Sequence, residues 1–426
     1  MTTRPYVLLA AALPALCMWL WVQDIAIPHQ QSESAALGAP RGNLSDLYPR
    51  WLGARELLLH GRDPYRADIT REVQAGYYGR PLDPMRPNDP KDQQSFAYPL
   101  YVVFVLAPTV QLPFPVVQRL WLGLLVVLTA ASVWWWLRAL GWRVSLTTQL
   151  FWIILTLGCF PAIQGFKLQQ LTLLVAALLS ASFSALACGY YIPAGFLLAL
   201  ATIKPQLAAL PVAWLCLWVV RNRRERPRAR RLLWSFGLTM LVLVGAGELL
   251  LPGWIGEFRR ASADYWRYTG GGRSVLDVLL TPFWGRLVSV LLVCALFGLL
   301  WRLRRAVPRT PGFNWSLALV MATTLAVIPM FAPYNQLLLL PALMLVVSRI
   351  AVLWSEGGVS RILLAATAFS ILWPWLACVV LAISLLFLPG ATVQRAWLLP
   401  LYTNFAIPIT LLGLLLVTRN TLAKSE

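Results

Sequence analysis

The chain has 426 residues, 59% of them hydrophobic and only 12% charged, with a mean hydropathy of +0.66 and a formal net charge of +19. A soluble globular chain is about half apolar and about a quarter charged, so this composition excludes an ordinary water-soluble protein and belongs in a bilayer. The excess of basic residues comes with no nucleic-acid-binding signature, which points away from nucleic acid and toward basic loops beside anionic membrane lipid.

Twenty-one tryptophans and thirteen tyrosines suit aromatic belts at the two membrane surfaces. The six cysteines (Cys17, Cys159, Cys188, Cys216, Cys294, Cys378) all fall in apolar stretches, so no disulfide is expected in the long polar loop. His29 and His60 are too few and too isolated for a zinc or haem site, and no cofactor is expected.

A spanning helix needs about 20 apolar residues. The first candidate runs from about Pro5 to Val22, behind Arg4. Its flank VQDIAIPHQQ offers no small-residue cleavage site beside the apolar core, so it reads as an uncleaved span rather than a signal peptide. A polar segment rich in Pro, Gly, Arg and Asp follows from Asp24 to about Tyr98. Then AYPLYVVFVLAPTVQLPF is apolar but short and bracketed by Pro99, Pro108, Pro113 and Pro115, which favours a re-entrant or interfacial placement.

The next span covers about Val116–Leu137. Further spans read as about Leu146–Ala162, Leu171–Cys188, Tyr191–Ile203, Leu207–Val220, Leu232–Leu251, Phe283–Trp301, Trp315–Phe331, Leu337–Leu353, Ile362–Leu388 and Leu401–Val417, twelve with the first. With Arg4 cytoplasmic, this count puts LRALGWR, RNRRERPRARR, RLRRAVPR, SRILL and the tail RNTLAKSE on the same inner side, as the positive-inside rule asks. Counting AYPLYVVFVLAPTV as a span would put RNRRERPRARR outside. The 24–115 loop, QGFKLQQ, TIKPQ, the 253–277 segment and APYNQ then face outward. Ten of the seventeen Asp and Glu residues lie between Asp24 and Asp92, so chemistry is to be sought on that face.

Asp46 precedes Pro49, a good first-turn residue, and a stretch in which Trp51, Ala54 and Leu58, with Leu52 and Leu59, form an apolar stripe ending at Gly61. Such a helix would lie flat on the outer membrane surface. Asp46 either caps it or presents a carboxylate at the mouth of the membrane domain; the two roles are compatible. Lys204, in LLALATIKPQLAAL, is a charge amid apolar flanks. It reads either as a snorkelling lysine or as a cation for the phosphate of a lipid-linked substrate. Lys167, Gln169, Gln170 and Thr172 mark another outward helix end, where free amides and the dipole favour anions or ordinary polar capping suffices. Tyr98 and Tyr334 suit a belt, and Asn335 stands beside the latter. Arg259, Arg260, Arg267 and Arg273, interleaved with Tyr265, Trp266 and Tyr268, suit phosphate and sugar contact or lipid headgroups equally.

Taken in order, SDLYPRWLGARELLLHGRDPYR, AYPLYVVFVLAPTVQLPF, LQQLTLLVAALL, AGFLLALATIKPQ and APYNQLLLLPAL resemble glycosyltransferase family 87, in the GT-C superfamily of polyprenyl-phosphate-sugar-dependent enzymes, which includes mannosyltransferases. The likeness runs from about Asp46 to Ala342. Asp46, Tyr48 and GRDPY with Gly61 and Tyr65 match the family's acidic residue, aromatic and G-x-x-x-Y turn. Its Y-P-P-L stretch is YPL at Tyr98 and Pro99, one proline short. Its G-Q-L-T stretch has Gln169 where the glycine stands, followed by Gln170, Leu171 and Thr172. Lys204 and Pro205 match its K-P pair, and Asn335 stands where a histidine is frequent.

The resemblance implies an all-α polytopic fold of the GT-C type: one membrane domain over residues 1–426, about twelve spans, and a large first external loop with interfacial and re-entrant helices. It implies an inverting transferase in the cell membrane, moving mannose or another hexose or pentose from a polyprenyl-phosphate donor to a glycolipid or glycan acceptor on the extracytoplasmic face. Asp46 would be the general base, with Arg50, Tyr65, Tyr98, Gln170, Lys204, Tyr334 and Asn335 holding substrate and no metal required. A secondary transporter is the main alternative from another class, although no half-to-half repeat is evident. A surface-polysaccharide polymerase would place its large loop later in the chain.

Overall fold

The computed structural model describes residues 5–40, 42, 45–83 and 85–423, and all regular structure among them is helical. Hydrocarbon offers no partner for a free amide, so a chain this apolar satisfies its backbone within helices. Arg4 and the last three residues of the basic tail lie outside the described residues.

The N-terminal segment is longer than its hydropathy suggests. Helix α1 (Pro5–Leu20) passes through a wide π-turn, Trp21–Ala26, into α2 (Ile27–Ala36), so helix extends well past the expected end at Val22. The wide turn falls just before Pro28, whose missing N–H and bulky ring would break a regular α ladder. The polar loop therefore begins in helix. Beyond it come α3 (Tyr48–His60), α4 (Ala67–Tyr78) and the five-residue α5 (Val102–Leu106), too short to cross a bilayer. Helix α3 stops at Gly61, whose φ of +66° is the left-handed conformation glycine adopts at no steric cost. Its Trp51, Ala54 and Leu57 are buried in one cluster with Val102–Val110, and Trp51 Nε1 donates to Thr109 O (3.1 Å). Its apolar face thus packs on protein, where the sequence suggested lipid, and only Leu59 of the stripe is exposed.

Helix α6 (Phe114–Leu140) is followed by α7 (Leu146–Leu157) and α8 (Phe160–Lys167), which are bent by 54° at Gly158–Cys159. The expected continuous span over 146–162 is broken there because Pro161 opens a new helix and Gly158 lies against Ala15 of α1. Next come α9 (Leu171–Ala187), α10 (Tyr191–Ala201), α11 (Pro205–Arg221), α12 (Arg230–Leu250), α13 (Trp254–Tyr268), α14 (Val275–Leu280) and α15 (Pro282–Arg302). Helix α16 (Pro311–Val327) is central: every residue from Gly312 to Ala326 is buried, as a helix apolar all round requires. The chain closes with α17 (Leu340–Ser348), α18 (Ile350–Ser355), α19 (Gly358–Ser384), α20 (Gly390–Gln394), α21 (Ala406–Val417) and α22 (Arg419–Ala423).

Among the described residues, six helical segments are long and apolar enough to cross a membrane, or seven if the bent α7–α8 pair is one crossing. Five further apolar helices of 10–17 residues include α9, mostly buried in the bundle, and α10 and α11, which are partly exposed. The bundle has two chemically distinct ends. The starts of α6, α9 and α11 lie beside the carboxylate-rich 46–92 segment, while Arg138, Arg143, the 221–231 run and Arg302–Arg309 gather at the other end.

Close helix crossings rest on small residues, as in membrane bundles generally. A Cβ on Gly195 of α10 would stand 2.2 Å from Leu232 O of α12. Ser235 Oγ of α12 donates to Ile192 O (2.8 Å) beside it, and Ser182 Oγ of α9 donates to Ala194 O (2.8 Å). Replacing Gly195 by Ala should force the helices apart and cost about 1–3 kcal/mol. A lower thermal unfolding midpoint in detergent is expected, and an unchanged midpoint would show the crossing to be looser than described.

Candidate functional site

The turn between α8 and α9 sets the geometry of the site. Gln169 has φ +47°, a left-handed conformation that favours glycine, the residue the resemblance places here. Its own side chain holds the turn: Nε2 donates to Phe166 O (2.8 Å) and Lys167 O (3.2 Å), and Oε1 accepts from Gln118 Nε2 (3.2 Å). The turn puts Gln170 at the N-cap of α9 and leaves Leu168 O to accept from Asp46 N (2.8 Å). Asp46 is thereby fixed to the element that carries Gln170. It does not cap α3, whose N-cap is Leu47 with no side-chain bond; its carboxylate turns to Gln170 instead.

Lys204 is the N-cap residue of α11 and is 6% exposed, so it does not snorkel. Its Nζ donates to Gln170 Oε1 and to Thr172 Oγ1, both at 2.7 Å. An ammonium has only donors, so it fixes which end of the Gln170 amide is oxygen. Gln170 Nε2 must then face Asp46, and it donates to Asp46 Oδ2. Thr172 Oγ1, accepting from lysine, passes its own proton to Asn335 Oδ1 (3.1 Å). The rings of Tyr334 (5.3 Å) and Tyr98 (5.8 Å) face the ammonium, at cation–π range.

Arg50, one turn into α3, donates from Nη1 to Asp46 O (2.8 Å), and its guanidinium lies 4.7 Å from the Tyr98 ring. Its Nε is buried and makes no hydrogen bond. Tyr98 is held by Tyr65, whose hydroxyl donates to Tyr98 O (2.7 Å).

These groups border a cavity of about 280 Å³, near the lower limit of small-molecule pockets (roughly 300–1,000 Å³). Asp46, Arg50, Tyr98, Gln170, Lys204, Tyr334 and Asn335 all line it; Tyr65 stands behind Tyr98, outside the lining. Helix starts of α9 and α11 converge here, adding their partial positive charge. Burial pushes the Asp46 carboxyl above the usual carboxylate range, and nearby Asp92 pushes the same way. The Arg50 charge, the Gln170 hydrogen bond and Lys204 pull it back.

Several lining residues were not singled out from sequence. Asp92 is one; both its oxygens accept from Gln94, at 3.0 Å from the backbone N–H and 3.0 Å from Nε2. Helix α13 is another source. Phe258, Ser262, Tyr265 and Trp266 share one helical face and line the cavity, while Arg259, Arg260 and Arg267 point to solvent. Arg260 and Arg267 pair there with Glu257 and Asp264. Of the residues the sequence singled out in this segment, Tyr265 and Trp266 line the cavity, while Tyr268, bonded to Ser95 Oγ (3.0 Å), and the four arginines do not. Among the described residues, no group of three His, Cys, Asp or Glu side chains is placed to hold a metal ion.

The helical bundle thus brings a carboxylate, two cations and an aromatic wall to one cavity. The sequence model of glycosyltransferase family 87 matches residues 96–332, more than half of the chain, and the protein belongs to that family. The match begins after Asp46 and Arg50 and includes Gln170 and Lys204. No curated protein and no solved structure matches the chain.

Replacing Gln170 by Leu removes the donor that draws the Asp46 pKa down. The carboxyl should then ionise at higher pH, moving the acid limb of the rate profile upward, while loss of the bond that orients it should lower the plateau about 10–100-fold. An acid limb that stays in place would separate Gln170 from Asp46 functionally.

Proposed function

We propose that this protein is an inverting glycosyltransferase that moves a sugar from a polyprenyl-phosphate donor to a hydroxyl of a glycolipid or glycan acceptor. The reaction would take place at the extracytoplasmic face of the cell membrane. The six long helices, the bent pair and the five shorter apolar helices together would supply twelve crossings in one GT-C-like domain. That count would put the 46–92 carboxylates outside and the basic runs inside, as the positive-inside bias favours.

In this reading Asp46 is the general base. Its Oδ2 is occupied by Gln170, and Oδ1, with no hydrogen-bond partner among the described residues, takes the acceptor proton. The acceptor oxygen forms its bond to the anomeric carbon as the bond to the phosphate oxygen breaks on the opposite face, so configuration inverts. The leaving polyprenyl phosphate keeps the bonding pair. Arg50, with a buried and unpartnered Nε, answers that growing charge directly. Lys204 contributes its field from behind Gln170 and Thr172. A carboxyl whose pKa is raised is the stronger base once ionised, which suits proton abstraction. The observation that carries the proposal is the chain Lys204–Gln170–Asp46 ending on a free carboxylate oxygen beside Arg50.

The test is incubation of purified protein with a panel of labelled polyprenyl-phosphate sugars and lipid extracts, with the product's anomeric configuration read by NMR. Transfer with inversion is expected; a retained configuration would overturn the single-displacement reading. Asp46→Asn keeps size and removes the base, and should lower kcat by about 10²–10⁴-fold with donor binding intact. A fully active Asp46→Asn protein would remove Asp46 from its role. Because the base must be ionised, wild-type activity should rise with pH through a pKa above the ordinary carboxylate range.

A further inference from the structure

A groove and a basic pocket meet at the ends of α6 and α9 farthest from Asp46. The groove, about 400 Å³, runs between α6, α9 and α10 and is apolar, with Leu128, Leu174, Leu178, Ala181 and Leu197 along it. At Trp134 and Arg138 it joins a second cavity of about 480 Å³ that holds Arg138, Arg143 and Arg309.

The arginines are arranged without an opposing charge. Arg138 Nε (3.0 Å) and Arg309 Nη2 (3.2 Å) both donate to Cys188 Sγ, a weak acceptor, and Arg309 Nε donates to Arg138 O (3.2 Å). Neither cavity is lined by Asp or Glu, and no described carboxylate pairs with any of the three. Arg309 reaches this position from a backbone at φ +71°, with its side chain laid across Gly141. Two guanidiniums converging on one sulfur repel each other, and an anion between them and Arg143 would reverse that sign. Arg also has the fork geometry that matches phosphate. The adjoining groove gives that anion an apolar tail.

We propose that this cleft binds an anionic phospholipid, its phosphate held by Arg138, Arg143 and Arg309 and one acyl chain lying in the groove. The site is separate from the cavity at Asp46: Gln170 starts α9 at that cavity and Cys188 ends it here, so the lipid belongs to the opposite leaflet.

Delipidated protein in neutral detergent is titrated with phosphatidylglycerol or phosphatidylcholine, and bound lipid is counted by native mass spectrometry. Phosphatidylglycerol should be retained in preference, and Arg138→Gln with Arg309→Gln should weaken it by about tenfold or more. Arg223→Gln with Arg224→Gln, in another basic patch, is the control for general charge. An equal loss in that control, or equal retention of the two lipids by wild type, would overturn the site. Ala181→Trp fills the groove without touching charge and should also weaken retention. If the double variant does not fold, unchanged binding in Ala181→Trp overturns the proposal by itself. Displacement of the lipid by millimolar inorganic phosphate would show that the groove adds nothing, and would overturn the assignment to a lipid.

Discussion

The ammonium of Lys204 is buried with no described carboxylate close enough to form an ion pair, so its charge has to be met by dipoles. Gln170 and Thr172 meet it with oxygen atoms, and two tyrosine rings meet it with their faces. The consequence reaches beyond the lysine. Since a cation cannot accept a hydrogen bond, each partner has to send its own donor elsewhere. The Gln170 amide is turned toward Asp46 and the Thr172 hydroxyl toward Asn335. A single buried charge thus orients four side chains from three parts of the chain, and the carboxylate inherits a defined face.

Much of this was legible in the residues. A lysine before proline in an apolar run, a glutamine pair opening another, and an aspartate ahead of a proline-started helix all stand out against lipid-soluble surroundings. Their partnership was not legible, because nothing local ties Asp46 to Gln170, 124 positions away. Asp92 was obscured by its neighbours: it is one of ten acids between Asp24 and Asp92, and composition does not separate it from Asp89, which is held by Arg80. On α13 the spacing of Phe258, Ser262, Tyr265 and Trp266 was readable as one face. The arginines drew attention because charge is the louder signal, yet their length lets them turn to water.

The fold shows the same division. Hydropathy locates apolar helices well because the bilayer imposes it. It locates their ends poorly where polar residues continue a helix, as in α2, or where one glycine and one proline break an otherwise uniform run, as between α7 and α8. At the second place the decision also rests on a neighbour, Ala15 against Gly158, that only the folded chain supplies.

The wall contributed by α13 shares no hydrogen bond with Asp46, Gln170 or Lys204 among the described residues. Reshaping positions 258, 262, 265 and 266 therefore alters what the cavity accommodates while leaving the carboxylate's tuning nearly untouched. Under the proposed function, selectivity and reactivity would sit on separate parts of the chain, an arrangement under which a catalyst could diversify its products by small steps along a single amphipathic segment.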